Sequence, residues 1–490
     1  MRTLLCAVPV PSLNREGGEE DWVSWRARLV REVSAGCRLV TLFGRPERDE
    51  VLLTAVLERP GAVLEVLRTR VDPKEGYPSL TSVLPAFGVF ERELHERLGV
   101  ELPLPPGSPA VPEGVLAASA TSSSSPPELD AEPGLGAHGG VIEPGAFRFT
   151  CLGPRVVHLD LHLGYPHRGV ERLLREFAGA DGRLWRALPL VETVAGDSTV
   201  AHATAYCLAI EALAGLEVGA DVGLSRGILL ELERIGMHLF GLSAVARDIA
   251  HARGAEAYAW LGASVNAATA RLCGSRFGRG GVRIGAPGFT LGAEGNKVIE
   301  ETLDMLEREQ TAINSPFVDS PMLQQRLRGV GNVDLVHARD FGMVGLCARA
   351  SGLSIDQRLG GIYEAHPVAH ALLVSGDCWA REWLRVMEVR ASVMWLREVL
   401  ADRPEWGARR QEPRPLGPSR LAVGLVEGWR GEVVYAIETI ADGSVAHVKV
   451  QDPSFRNWIG LGLAVCGNMV ADFPVCNKSF DLGHHAHNLD

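Results

Sequence analysis

Read for its apolar spacing, the chain divides into a short strand-rich opening and a long helical remainder. Two runs alternate or stay apolar over strand lengths, Arg38 to Arg45 and Glu50 to Glu58, on either side of a polar turn. Both predict β-strands. The next apolar set, Val63, Val66 and Leu67, predicts a helix covering that sheet. Later, His158-Leu-Asp-Leu-His162 alternates and places His158, Asp160 and His162 on one strand face. Over residues 221–250, Ile228, Leu232, Ile235, Leu239 and Leu242 recur at helical spacing, a stripe made for packing. Long helical patterns return near 296–312 and 376–402. Strand patterns close the chain at 421–426, 432–440 and 445–450, with turns such as Asp442-Gly443.

Between the two regions the composition shifts. Residues 103–136 are rich in Pro, Ser, Ala and Gly, including Ser122-Ser-Ser-Ser-Pro-Pro127, and such a stretch buries too little apolar area to offset its ordering entropy. The expected organisation is a small domain (1–102), a linker (103–136) and a large domain (137–490). The fold class is α+β: a small α/β unit, then a mainly α-helical bundle with peripheral β-strands.

The 490 residues carry 49 Lys and Arg against 60 Asp and Glu, a net charge of −11. That balance argues against nucleic acid or an anionic membrane face as a direct partner. No apolar run reaches the ~18 residues of a membrane span. The proline-broken start does not read as a signal peptide, so a cytoplasmic chain, attached to the membrane through partners, is expected. The nine cysteines are scattered with no Cys-x-x-Cys, so no iron–sulfur cluster or structural zinc of cysteine type is expected. His366 and His370 share a helical spacing that Pro367 interrupts, and read as surface residues. His484, His485 and His487 read as a mobile terminal cluster, a metal site only opportunistically.

Several segments resemble known families. Tyr77-Pro-Ser-Leu-Thr81 followed by Phe90-Glu-Arg-Glu93 resembles the 30-kilodalton-type subunit of respiratory complex I. Gly164-Tyr-Pro-His-Arg-Gly-Val-Glu171, Glu231-Leu-Glu-Arg-Ile-Gly-Met-His238, the block from Gly342 to Gly352 with Asp356 and Arg358, Gly376-Asp-Cys-Trp-Ala-Arg381, Glu427-Gly-Trp-Arg-Gly-Glu432, Asp452-Pro-Ser-Phe-Arg-Asn-Trp458 and Asp472-Phe-Pro-Val-Cys-Asn-Lys-Ser-Phe480 resemble elements of the 49-kilodalton-type subunit and of [NiFe]-hydrogenase large subunits. The small-then-large fusion is similar to the energy-converting (group 4) hydrogenase and formate hydrogenlyase branch.

In that family, Arg-x-Cys-Gly-x-Cys-x-x-x-His and Asp-Pro-Cys-x-x-Cys supply four thiolates to nickel and iron. Here the four cysteine positions fall on Ala195, Ser198, Gly483 and Ala486, while Gly196, His202 and Asp481 keep their places. The resemblance therefore implies a hydrogenase-related branch without the metal centre. Complex I lacks these cysteines too, but the tyrosine and histidine with which it holds quinone correspond to positions near Gly196 or Asp197 and near Pro144.

The resemblance further implies that Arg168 and His238, with Arg234 one turn before the histidine, face a [4Fe–4S] cluster of a partner small subunit. The plain alternative is an ion pair with Glu171 or Glu233. An imidazole there would titrate near neutrality. Asp197 and His202 are the expected proton-handling residues of the vacated site, with Asp197 or Ser198 as helix N-cap on the structural reading. No cofactor is expected on the chain itself. The expected partners are an iron–sulfur small subunit and ion-translocating membrane subunits on the cytoplasmic face, with a quinone or another acceptor. A redox-silent scaffold is the alternative; the missing cysteines argue against a true hydrogenase.

Overall fold

In the computed structural model, the described residues are 6–8, 20–61, 63–103, 129–131, 145–163, 167–179, 184–402, 411 and 414–487, with backbone alone at 6–8, 129–131, 178–179, 184–185, 310–319, 359 and 487. Most of the 103–136 linker, Pro144 and Gly164-Tyr-Pro166 lie outside them. Within the expected linker, Leu129–Ala131 is a strand paired with Ala146–Leu152, which in turn pairs with Arg155–His162.

The opening strands form as their pattern predicts, Arg38–Glu47 and Glu50–Arg59, in an antiparallel hairpin. The segment expected to be a helix is instead the third strand, Val63–Val71. Its alternating Val-Leu-Glu-Val-Leu-Arg-Thr-Arg-Val composition favours a pleated surface over a helical stripe. Two other helices cover the sheet. Trp22–Ser34 starts on Asp21, whose carboxylate accepts from the amides of Val23 and Ser24; it brings Trp25 and Leu29 inward, and Gly88–Leu98 brings Phe90 and Leu94. The coupling of the two sequence motifs in this unit has a physical cause. Glu91 is buried and accepts from Ser79 Oγ (2.6 Å), Leu80 N (2.8 Å) and Thr81 Oγ1 (2.6 Å), so the helix holds the loop in place.

The opposite sheet face is not solvated. Val40, Phe43, Val56 and Leu64 pack against Leu421, Val423, Leu425, Val434 and Ala436 of the second sheet. The strands of that sheet are Leu421–Glu427, Glu432–Thr439 and Val445–Gln451, with Cys6–Val8 added at the edge. Arg38 bridges Glu58 and Glu432 (Nη1 to Oε1, 3.0 Å), and Arg456 donates to the carbonyls of Leu39 and Val40 (2.7 and 2.6 Å). The two units are thus docked through a shared core.

The second sheet lies inside the molecule rather than at its rim: Leu421–Glu427 and Glu432–Thr439 are buried at every position. The helix Thr199–Ala214 lies on its other face, beside Ala220–Asp248, which packs against Ala252–Cys273 and Cys378–Ala401. The stripe from Ile228 to Leu242 is fully buried, as its spacing predicts. Helices Ala293–Asp319 and Cys378–Ala401 also sit where the pattern put them. His366 and His370 are outside any helix and only partly exposed, beside Asp402 and Asp356 respectively. No helix among the described residues is long and apolar enough to cross a membrane.

The approach of helix to sheet needs a glycine. A β-carbon on Gly424 would lie 2.0 Å from the carbonyl oxygen of Ala205. Gly424→Ala must therefore push the helix off the strand and should destabilise the chain by about 1–3 kcal/mol, the usual cost of overpacking. Chemical denaturation of the variant against the parent checks this.

Candidate functional site

The first degenerate segment is a short loop into the helix Thr199–Ala214. Ser198 occupies the N-cap position, but its side chain makes no capping bond. The cap comes from another helix: Glu233 accepts from the amides of Val200 (2.7 Å) and Ala201 (3.3 Å). Burial pushes the Glu233 carboxyl up to about 8. Asp197 is committed elsewhere. Arg430 grips it with two parallel bonds, Nη1 to Oδ1 at 2.8 Å and Nη2 to Oδ2 at 2.6 Å, while Trp429 Nε1 donates to its carbonyl (2.9 Å). The expected N-cap role of Asp197 and Ser198 thus yields to an ion pair and to Glu233. Gly196 is exposed and the Asp197 side chain is 15% exposed, so this loop reaches the surface; Ala195 and Ser198 behind it are buried.

The second degenerate segment follows the helix Phe473–Phe480. Asp481 ends that helix in the left-handed conformation (φ 56°), its N–H donating to the Asn477 carbonyl (2.9 Å). The turn is pinned by Gly483, whose N–H donates to Ser454 Oγ (3.0 Å) and whose carbonyl accepts from Trp458 Nε1 (3.1 Å). His484 stands edge-on to Phe147 and Trp458. His484 and His485 are 1% and 5% exposed, so these two histidines are packed rather than mobile; the His487 side chain lies outside the described residues. Ala486 joins the hydrophobic core of the N-terminal unit.

These positions do not suit a nickel–iron pair, which soft thiolates hold. Ala195 and Ala486 offer methyls and Ser198 a hydroxyl. At Gly483 a β-carbon would lie 2.2 Å from the His485 ring, which fills the space a ligand side chain needs there.

His202, on the first buried turn of its helix, does meet partners. Its Nδ1 lies 3.0 Å from the Tyr435 hydroxyl and its Nε2 lies 3.2 Å from Asp452 Oδ2. His485 Nε2 approaches the same oxygen at 3.3 Å. Burial lowers the His202 pKa against the pull of Asp452. Burial opposes the ionisation of Asp452, yet His485 and His202 hold its carboxyl well below the usual range.

Behind the loop lies a fully buried ionic network. Arg349 donates to Glu388 (3.1 and 2.8 Å), to Glu427 (2.6 Å) and to the Ile355 carbonyl (2.9 Å). Arg358 grips Asp356, and Glu231 accepts from Tyr363 (2.6 Å) and Ser392 (2.5 Å). Arg234 and His238 converge on Glu388, at 3.6 and 2.9 Å, as their shared face predicts. The shared partner is Glu388, with Glu231 also on Arg234 (3.4 Å), rather than Glu233 or Glu171; Glu171 pairs with Arg97 and Lys449. Arg234 also donates to the carbonyls of Glu427 (2.7 Å) and Gly428 (3.0 Å). His238 is wholly buried against Trp429, and burial pushes its pKa down to about 4, so the ring is neutral at pH 7. Arg168 is exposed and donates to the carbonyls of Thr193 (2.8 Å) and Val194 (3.2 Å), immediately before Ala195.

Sequence reasoning named Asp197 and His202 without their partners Arg430, Tyr435 and Asp452, and His238 without Glu388. Arg430 and Asp452 stand inside quoted motifs, so their residue types were the available signal; that Arg430 would meet Asp197 and Asp452 would meet His202, each more than 200 residues away, was not. The same holds for Cys378 and Cys476, 98 residues apart in sequence and 4.0 Å apart at sulfur. There the nearby thiol, Arg381 and Ser479 outweigh burial and bring the Cys378 thiol down to about 6.

Comparison with known proteins agrees with this architecture. Residues 263–423 match the family described as the 49 Kd subunit of respiratory-chain NADH dehydrogenase. The carbon monoxide-induced hydrogenase of Rhodospirillum rubrum is 28% identical over 352 residues, covering 70% of this chain and 95% of that protein. Formate hydrogenlyase subunit 5 of Escherichia coli is 27% identical and covers 90% of this chain and 83% of its own length. An NADH-quinone oxidoreductase subunit of Clostridium beijerinckii is 25% identical, covering 69% of this chain and 91% of its own length. Among solved structures, a chain of the membrane-bound sulfane sulfur reductase, an archaeal respiratory membrane complex, superposes with a TM-score of 0.67 at 20% identity, over 74% of this chain and 98% of that one, a likeness of fold. The chain is thus similar in sequence to 49 Kd-type subunits of respiratory-chain NADH dehydrogenase, to membrane-bound hydrogenase subunits and to formate hydrogenlyase subunit 5.

Proposed function

We propose that this chain is the large subunit of a membrane-associated oxidoreductase complex of the hydrogenase and complex I type. It lies against a [4Fe–4S] cluster of a small subunit and serves electron transfer to a quinone or another acceptor, which membrane partners couple to ion movement. One observation carries the reading: Arg168 docks beside the surface-reaching segment that carries Gly196 and Asp197. Arg168 holds the carbonyls of residues 193 and 194, and Arg430 holds Asp197 three residues on. A cation that would favour a reduced cluster therefore adjoins a carboxylate able to exchange a proton and a guanidinium able to stabilise charge on an acceptor. His238 is inaccessible from the surface, so it would act on the cluster through its field rather than by contact.

The scaffold reading draws on the filled positions at Gly483 and Ala486, where the His485 ring and the N-terminal core occupy the space that thiolate side chains would need. Turnover of the purified complex with electron acceptors separates the two: reduction of an acceptor supports the enzyme, and none with any acceptor supports the scaffold.

Four outcomes are expected. The purified complex should neither take up nor evolve hydrogen; X-ray absorption showing stoichiometric nickel bound by sulfur would contradict this. Asp197→Asn leaves Arg430 buried with half its partner, so stability should fall while assembly survives, and turnover should drop by roughly 10²–10⁴-fold, as for loss of a general acid or base. Asp197→Glu should recover part of it; unchanged turnover in Asp197→Asn removes the residue from the mechanism. Arg168→Gln should lower the partner cluster's midpoint potential by tens of millivolts, since a unit charge about 10 Å away contributes about 1 kcal/mol at an effective dielectric near 30. For His238 the burial shifts the expected titration from neutrality towards pH 4. Removing it should leave the potential's pH dependence unchanged between pH 7 and 8 and flatten it near pH 4. Its neutral form stabilises the fold above pH 6.5, and that contribution is lost as pH falls from 6.5 towards 4. Redox titrations and denaturation curves across this range check both.

A further inference from the structure

We propose that His202, Asp452 and His485 form a binding site for one divalent first-row transition ion, zinc foremost. The inference does not rest on the redox reading: an ion here would serve enzyme and scaffold alike.

Three remote parts of the chain converge to make this cluster. His202 comes from the helix Thr199–Ala214, Asp452 from the residue after Val445–Gln451, and His485 from the C-terminal turn. Their donor atoms all lie within 4.8 Å of one another, and all three residues are buried. The two distances to Asp452 Oδ2 are 3.2 and 3.3 Å. An ion held at 2.0–2.1 Å by tetrahedral ligands spaces its donors about 3.3–3.4 Å apart. Two of the three ligand edges are therefore already at binding distance.

The surrounding contacts aim the donors. The Tyr435 hydroxyl on Nδ1 of His202 fixes the ring and leaves Nε2 facing Asp452, the arrangement that orients metal-binding histidines. Asp452 Oδ1 accepts from the Ser454 amide (2.8 Å), which turns Oδ2 towards both histidines.

Donor chemistry narrows the ion. Two imidazoles and one carboxylate suit zinc and its first-row neighbours, whereas magnesium and calcium take oxygen ligands. With three protein donors, a fourth position remains for water. The His485 ring over Gly483 stands where the related hydrogenases place a thiolate, so nitrogen and oxygen donors would here join the two segments that thiolates join there.

The test uses the full chain purified with its co-expressed partners, stripped with chelator and then titrated with zinc alone. The expected result is one tightly bound zinc per chain by elemental analysis, and cobalt substitution giving the intense visible bands of a tetrahedral site. His485→Gln should weaken uptake at least 100-fold, and His485→Cys, which restores a donor, should recover it. His487→Ala should change nothing. Circular dichroism and co-purification of partners establish that each variant is folded; if His485→Gln is not, Asp452→Asn takes its place. Absence of stoichiometric zinc in the parent, or parent-like uptake by folded His485→Gln or Asp452→Asn, overturns the proposal.

Discussion

The pairing of Arg349 with Glu388 and Glu427, wholly buried, is the constraint on which the large domain is built. A guanidinium buried alone would cost several kcal/mol, and so would each carboxylate. The chain therefore has to bring together the short helix Gly345–Ala350, the helix Cys378–Ala401 and the strand Leu421–Glu427 at fixed distances. Arg358, Asp356, Glu231, Arg234 and His238 extend the cluster onto the helix Ala220–Asp248. Around Arg349 and Arg358, Glu231, Asp356, Glu388 and Glu427 leave few unmatched charges, and Glu427, raised by burial, is the member closest to holding a proton. Such a network adds little net stability compared with an apolar core, but it forbids slipped packings, because removing any member strands the others.

The Gly196–Asp197 loop inherits its geometry from that network. Glu427 is held by Arg349, and its carbonyl and that of Gly428 are held by Arg234. The turn that follows is thereby fixed, and it projects Arg430. That one side chain reaches Asp197 in the first degenerate segment and the Asp481 carbonyl in the second. Arg430 thus ties together the two segments that thiolates and metals bridge in the related hydrogenases. Between the Ala195–Ser198 and Gly483–Ala486 positions the connection is an ion pair to Asp197 and a hydrogen bond to the Asp481 carbonyl.

Much of this was legible in the sequence wherever a local pattern was sufficient. The stripe on residues 221–250, the hairpin of the first unit and the three closing strands follow from periodicity, and the two degenerate segments from motif spacing. What failed, failed for want of tertiary partners. Val63–Val71 has apolar spacing compatible with either period, and its pairing with Glu50–Arg59 decided for strand. The N-cap of Thr199–Ala214 could not be assigned because Glu233 reaches it from another helix. His484 and His485 look like a solvated tail in one dimension, and only Trp458, Phe147 and Asp452 turn them into core residues. The closing strands read as peripheral because nothing local records that the N-terminal sheet covers them.

The account places the segment from Thr193 to Asp197, with Arg168 beside it, at the face where electrons enter. A structure of the intact complex tests this most directly. The account predicts a [4Fe–4S] cluster of the small subunit opposite Arg168 and the Gly196–Asp197 loop, with Trp429 and His238 behind them. A complex in which that face is open to solvent, or is covered by a subunit carrying no redox centre, would contradict it.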